Sequence, residues 1–184
     1  MALRNTLQRY GSLAQFFHWA TVALIVFQFV VIQYAEDLPR GLAKLQMDAR
    51  HKSVGITILG LAALRLAWRF ANPIPPAPRD VAPWQRRAAD VSHWLLYALL
   101  FALPLSGWTM SSAANYPVSW FGLVQLPDLV GAGEQLHETL EDVHEALANA
   151  LLVIAGVHVL AALQHHFLRK DDVLRRMLPW GRRS

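Results

Sequence analysis

The chain has 184 residues, 54% of them hydrophobic and 16% charged, with seven tryptophans and a formal charge of +4. This is long enough for one domain and too apolar for an ordinary soluble one, so a membrane protein is indicated. The basic residues lie between apolar runs, which argues against nucleic acid as a partner, and the lack of cysteine excludes disulfides, cysteine-held iron–sulfur clusters and a covalently tethered haem.

In chain order, residues 1 to 12 are short and basic, with Arg4 and Arg9. The run from 13 to 34 reads as a spanning helix rather than a cleaved signal, because it is long and no A-x-A-like site follows it. His18 lies near its start, and a polar connector with Pro39 and Gly41 covers residues 35 to 50. The second run, 51 to 70, opens with His51 and carries Arg65 and Arg69 close to its end. Arg65 falls on the His51 face, where it either meets a buried acidic group or snorkels to the interface.

From Ala71 the sequence NPIPPAPRDVAPWQRR cannot stay helical and predicts an extended connector along the membrane surface. The third run, 91 to 112, contains Pro104 and Gly107, which a membrane helix tolerates, and His93 at its start is expected to be structural or interfacial. The connector 113 to 133 carries Trp120 and Phe121, suited to a membrane interface. Residues 134 to 142 are acidic and read as water-exposed first turns of a fourth helix, with His137 solvated. The fourth run, 143 to 168, holds His144 and His158, and a basic tail follows.

These two histidines are fourteen residues apart. At about 3.6 residues per turn they return to one helix face, and they stand roughly 21 Å apart along the axis. Ala148, Ala155, Gly156 and Ala162 leave room beside them for a flat ligand, or for close helix packing.

The lysine and arginine count sets an orientation. Arg4, Arg9, Arg65, Arg69, Arg79, Arg86, Arg87, Arg169, Lys170, Arg175, Arg176, Arg182 and Arg183 stand on one side, against Arg40, Lys44, Arg50 and Lys52 on the other. Both termini are therefore expected in the cytoplasm, and the fold class is an all-α four-helix membrane bundle forming one domain over 1–184. This topology puts His18 and His158 at cytoplasmic depth and His51 and His144 at outer depth. Facing imidazoles suit zinc, copper or haem iron. Zinc wants three or four protein ligands, and no cysteine or carboxylate is placed to complete either set. Haem needs only two axial ligands, and with both taken the chemistry is electron transfer.

The motifs F-H-W at 17 to 19, H-K-S-V-G at 51 to 55, L-R-L-A-W-R at 64 to 69 with the following P-I-P-P, and H-E-x-L-A-N…G-V-H…Q-H-H-F…K-D-D-x-L-x-R-M-x-P in the last third run through nearly the whole chain. Together they resemble the bacterial cytochrome b(561) family, and closely its stand-alone members that pass electrons from superoxide to ubiquinone. The resemblance implies a multi-pass protein of the bacterial inner membrane, in contact with lipid, holding two haem b groups. Their iron would be ligated by His18 with His158 and by His51 with His144. Under that reading Arg50 and Lys52, with Lys44 and Arg40 nearby, steer superoxide or bind haem propionates, while Asp128, Glu134, Glu138, Glu141, Asp142 and Glu145 oppose the steering. Arg65 is a further candidate for a propionate. His165, seven residues after His158 and on its face, is the candidate ubiquinone contact, and His166 points elsewhere. The alternative is a cytochrome b anchor that conducts electrons for a partner dehydrogenase or hydrogenase.

Overall fold

The computed structural model describes residues 2–78 and 81–179. Arg79, Arg182 and Arg183, counted above in the charge balance, lie outside the described residues. Four helices dominate: α1 (Ser12–Glu36), α2 (Leu42–Phe70), α3 (Pro83–Ala113) and α4 (Glu134–Gln164), the last prolonged by a π-helical turn, His165–Arg169. Each is long and apolar enough to cross a membrane. The protein is an all-α membrane bundle.

The helices outrun the apolar segments that announce them. α2 begins at Leu42, so the stretch expected as connector up to residue 50 is largely helical, because no proline or glycine interrupts it after Gly41. α4 begins at Glu134, as its acidic first turns suggested. α3 starts with Pro83, whose missing N–H costs nothing at a first helical position, and the Gln85 side chain accepts the Ala82 N–H at 3.4 Å.

α1 buries polar side chains beside Val31 and Ala35 and leaves large apolar ones open. Gln15, Thr21 and Gln28 are buried, whereas Phe16, Val26, Phe27 and Val30 are exposed. In water this arrangement would be unstable; against hydrocarbon it is the expected one, because lipid takes up the apolar face. The buried donors of α1 have partners: Thr21 donates to the Phe17 carbonyl (2.7 Å), Gln28 to the His51 carbonyl (2.9 Å) and Gln15 to the Arg176 carbonyl (3.2 Å).

Successive helices pack side by side, α1 on α2, α2 on α3 and α3 on α4, with no comparable seam closing α4 against α1. α4 buries only Leu151. Midway along the bundle Val54, Ile58, Ala62 and Leu100 form an apolar layer, with Leu24, Ile25 and Phe101 against it.

The two ends differ. At one, the N-terminal segment, the proline-rich connector and the tail interlock: Asn5 donates to the Pro73 carbonyl (3.0 Å), Arg9 to that of Leu178 (2.6 Å), Trp19 to that of Met177 (2.9 Å) and Arg176 to that of Pro76 (2.7 Å). Gly11 admits this hook, since a Cβ there would lie 2.2 Å from the Leu3 carbonyl oxygen. We call this the basic end. At the other, a short antiparallel hairpin, β1 (Ser119–Trp120) and β2 (Val124–Gln125), is pinned to α2. The Ser53 hydroxyl lies within hydrogen-bond distance of the Ala49 (2.8 Å) and Ser119 (3.0 Å) carbonyls and accepts the Phe121 N–H, while the Trp120 indole donates to Thr57 (3.1 Å). We call this the hairpin end.

Candidate functional site

Four imidazoles meet in two pairs. At the hairpin end the rings of His51 on α2 and His144 on α4 have centroids 6.2 Å apart with planes at 75°. At the basic end His18 on α1 and His158 on α4 stand 6.4 Å apart at 70°. The pairs expected from depth are thus the pairs brought together, and both lie between α4 and the helices, α2 and α1, with which it makes no comparable seam. Two imidazoles sharing one axial metal, each nitrogen about 2 Å from it, hold their ring centroids about 6 Å apart. Among the described residues no group of three or more histidine, aspartate or glutamate side chains could hold a bare metal ion. Each pair therefore suits a group that brings its other ligands with it.

The Ser106 hydroxyl lies 2.9 Å from both the Leu103 carbonyl and His144 Nδ1. When its one proton goes to the carbonyl, Nδ1 is the donor to the hydroxyl oxygen. Nε2 is left with its lone pair free, as a metal-ligating imidazole needs. The ring also occupies the space a side chain at Gly107 would take: a Cβ there would come within 2.9 Å of His144 Cε1. Across from it, His51 Nδ1 and Gln28 Oε1 are both buried without a hydrogen-bond partner. Buried orphans of this kind mark a site organised for something further. The hairpin-end pair has the spacing and the donor chemistry that a haem iron held by two imidazoles would need.

The basic-end pair is more crowded. His93 on α3, expected to be structural or interfacial, lies with its ring centroid 5.3 Å from that of His158, so three imidazoles gather here. Arg65 neither meets a carboxylate nor simply snorkels: its Nη2 is 3.1 Å from His18 Nδ1 and its guanidinium lies over the Tyr97 ring at 5.5 Å. A guanidinium only donates, so His18 Nδ1 accepts here, and axial ligation through Nε2 requires Arg65 to release it. Arg69 stacks on Trp94 (5.5 Å) and Tyr97 (5.9 Å). Asn5, Tyr10, Arg65, Arg69, His93 and Tyr97 line a cleft with two cations and no carboxylate. Burial pushes the Tyr10 phenol above its usual pKa, against the opposing pull of Arg69 and Arg65, so it stays a neutral donor. This cleft fits the carboxylates of a haem as well as its axial pair fits the iron.

The remaining candidates are dispersed. Arg50 reaches the Met47 sulfur (3.8 Å), and the Lys52 ammonium sits over the Tyr116 ring (5.4 Å). His137 is not simply solvated: its Nδ1 donates to the Met110 carbonyl (3.3 Å), tying α4 to α3. His165 Nδ1 pairs with Asp171, and the adjacent His166 stacks on Phe167 (4.8 Å) with its Nδ1 buried and unpaired. Reading the sequence missed the inward placement of His93 and the role of Ser106. A Ser-Gly pair in an apolar run was the available signal for the second.

A membrane bundle holding two facing imidazole pairs between loosely packed helices is the architecture of a transmembrane cytochrome. The comparisons agree. The family model described as prokaryotic cytochrome b561 matches residues 9–180, and the chain belongs to that family. It is 35% identical to cytochrome b561 homolog 2 of Escherichia coli K12, over 97% of this chain and 95% of that one. It is 33% identical to the probable superoxide oxidase CybB of Yersinia pestis (94% and 97%), and 28% identical to cytochrome b561 homolog 1 of E. coli K12 (94% and 98%). The protein is a multi-pass membrane electron-transfer protein, and its family implies haem b.

Proposed function

We propose that the chain is a superoxide:ubiquinone oxidoreductase of the bacterial inner membrane, a single domain with both termini in the cytoplasm and two haem b groups. His51 and His144 hold one haem near the outer face; His18 and His158 hold the other near the cytoplasm, with Arg65 on a propionate. The observation that carries this reading is the spacing of the two imidazole pairs, 6.2 and 6.4 Å, at opposite ends of one bundle. Similarity to a protein named as a probable superoxide oxidase supports the choice of substrates.

Haem b, held by these imidazoles, would supply a one-electron carrier. The chain's residues do the rest. Ser106 keeps the His144 proton on Nδ1, and Gly107 leaves the ring its place. Arg50 and Lys52 raise the local concentration of an anionic substrate at the outer face. The apolar layer around Ile58 keeps water from joining the two ends. In net terms two superoxide anions each lose one electron and leave as dioxygen, and one ubiquinone takes both electrons and two protons. His165 contacts that quinone at the inner end.

The test is a purified preparation of the single chain. A sharp reduced b-type absorption band with about two haems per chain, and ubiquinol formed under superoxide flux without any other protein, is the expected result. A colourless preparation, or a haem protein that superoxide cannot reduce, overturns it.

A further inference from the structure

After α4 the chain makes a π-helical turn over His165–Arg169, passes through Lys170 in the left-handed region (φ 56°), and reverses. The reversal brings Asp171 back against the helix it has just left. Its Oδ2 faces His165 Nδ1, its Oδ1 accepts the Val173 N–H (3.1 Å), and its own N–H donates to the His165 carbonyl (3.2 Å). Both side chains of the pair are largely enclosed, at 14% exposure for His165 and 8% for Asp171. The neighbouring carboxylate, Asp172, is taken by Arg176 (2.8 Å), which leaves Asp171 to the imidazole alone. The tail carrying Asp171 is itself fastened to α1 through the Gln15 and Trp19 bonds and to the N-terminal segment through Arg9. The pair is thus held from both sides.

A carboxylate facing Nδ1 accepts its N–H and so holds the ring's first proton on that nitrogen, turning Nε2 away from it. No hydrogen bond among the described residues reaches His165 Nε2, so that atom is available to a ligand. We propose that Asp171 is the positioning residue of a proton-delivering dyad with His165, at the quinone site assigned above; the inference rests on that assignment. Nε2 of His165 takes up a proton from water, and as a quinone oxygen gains negative charge from the electrons superoxide provides, that Nε2–H bond breaks and an O–H bond forms. The ring is left neutral with its remaining proton on Nδ1, held by Asp171, and Nε2 takes its next proton from water at this end of the bundle. Two such cycles complete the quinol.

Asparagine at 171 separates this role from a structural one. Its Oδ1 can still accept the Val173 N–H, which turns its amide N–H toward His165 Nδ1. The neutral ring is then forced to carry its proton on Nε2, and giving that proton up would leave an imidazolate. The variant should still donate a hydrogen bond to quinone but not surrender the proton.

The experiment uses the haem-loaded chain, with short-chain ubiquinone under superoxide flux. Asp171→Asn should lower kcat tenfold or more, leaving the quinone KM within about twofold and haem content and haem reduction by superoxide unchanged. Asp171→Glu should recover part of the rate. In the reduced, diamagnetic protein the ring 15N signals lost in His165→Ala should show Nδ1–H in the parent and the opposite tautomer in Asp171→Asn. A parent with the proton on Nε2, an Asp171→Asn rate like the parent's while His165→Ala is slow, or a loss of kcat matched by loss of haem overturns the dyad. If His165→Ala reduces quinone at the parent rate, or no form reduces quinone, the site assignment itself is what fails.

Discussion

The two imidazole pairs have nearly the same spacing and different surroundings. At the hairpin end the His51–His144 pair is served by neutral groups: a serine hydroxyl, a glycine and the orphaned Gln28 carbonyl oxygen. At the basic end the His18–His158 pair sits among a third imidazole, two arginines, a buried phenol and the His165–Asp171 pair farther along α4. A site that only takes up single electrons needs its ligands held and little else. One that must also manage protons needs donors and charges beside its ligands, and the second pair is the one that has them.

The sharpest way to break the comparison is to remove one pair at a time. Gly107→Val puts a branched side chain where the His144 ring lies, so haem content should fall from about two to about one per chain, with the basic-end haem kept. His158→Ala should give the complementary loss. Pyridine haemochrome assay and redox titration of the surviving band check both; loss of both haems in either variant would show that the sites are not independent. A smaller effect is expected at Ser106. Ser106→Ala removes one partner of His144 Nδ1 and should weaken haem retention at the hairpin end by about 1 kcal/mol, roughly fivefold, measured by transfer of haem to an acceptor protein, with the basic end unaffected. The smallest change should follow charge reversal of Arg50 and Lys52 to Glu. Both are partly engaged by neighbours and face solvent or the Tyr116 ring, so the superoxide rate should fall by no more than about tenfold and its decrease with ionic strength should disappear. Stopped-flow traces over a salt series check it, and an unchanged salt slope would remove these residues from steering.

Much of this arrangement can be read from the residues alone, and the limits have physical causes. Hydropathy locates four spans, and the spacing of His144 and His158 with the lysine and arginine balance sorts the imidazoles into the pairs that the bundle brings together. Hydropathy senses lipid rather than helix, so it is blind to the polar starts of α2 at Leu42 and α4 at Glu134. The inward turn of His93 depends on how α3 is rotated against α4, which the period of one helix does not set. Arg65 was placed on an inward face correctly, but its partner is an imidazole rather than a carboxylate, because an aromatic ring and a neutral nitrogen suffice for a guanidinium. The Asp171 contact depends on a π turn and a left-handed Lys170, for which the motif K-D-D carries no local signature.

The slab of Val54, Ile58, Ala62 and Leu100 between the two pairs carries a last implication. It offers ions no foothold, so what passes between the faces is charge without an accompanying proton. With the anion consumed at one surface and protons drawn from the other, every turnover would act as a small current, at about 2.3 kcal/mol per charge for each 100 mV. The same reaction that clears a radical would then feel, and feed, the voltage of the membrane in which it sits.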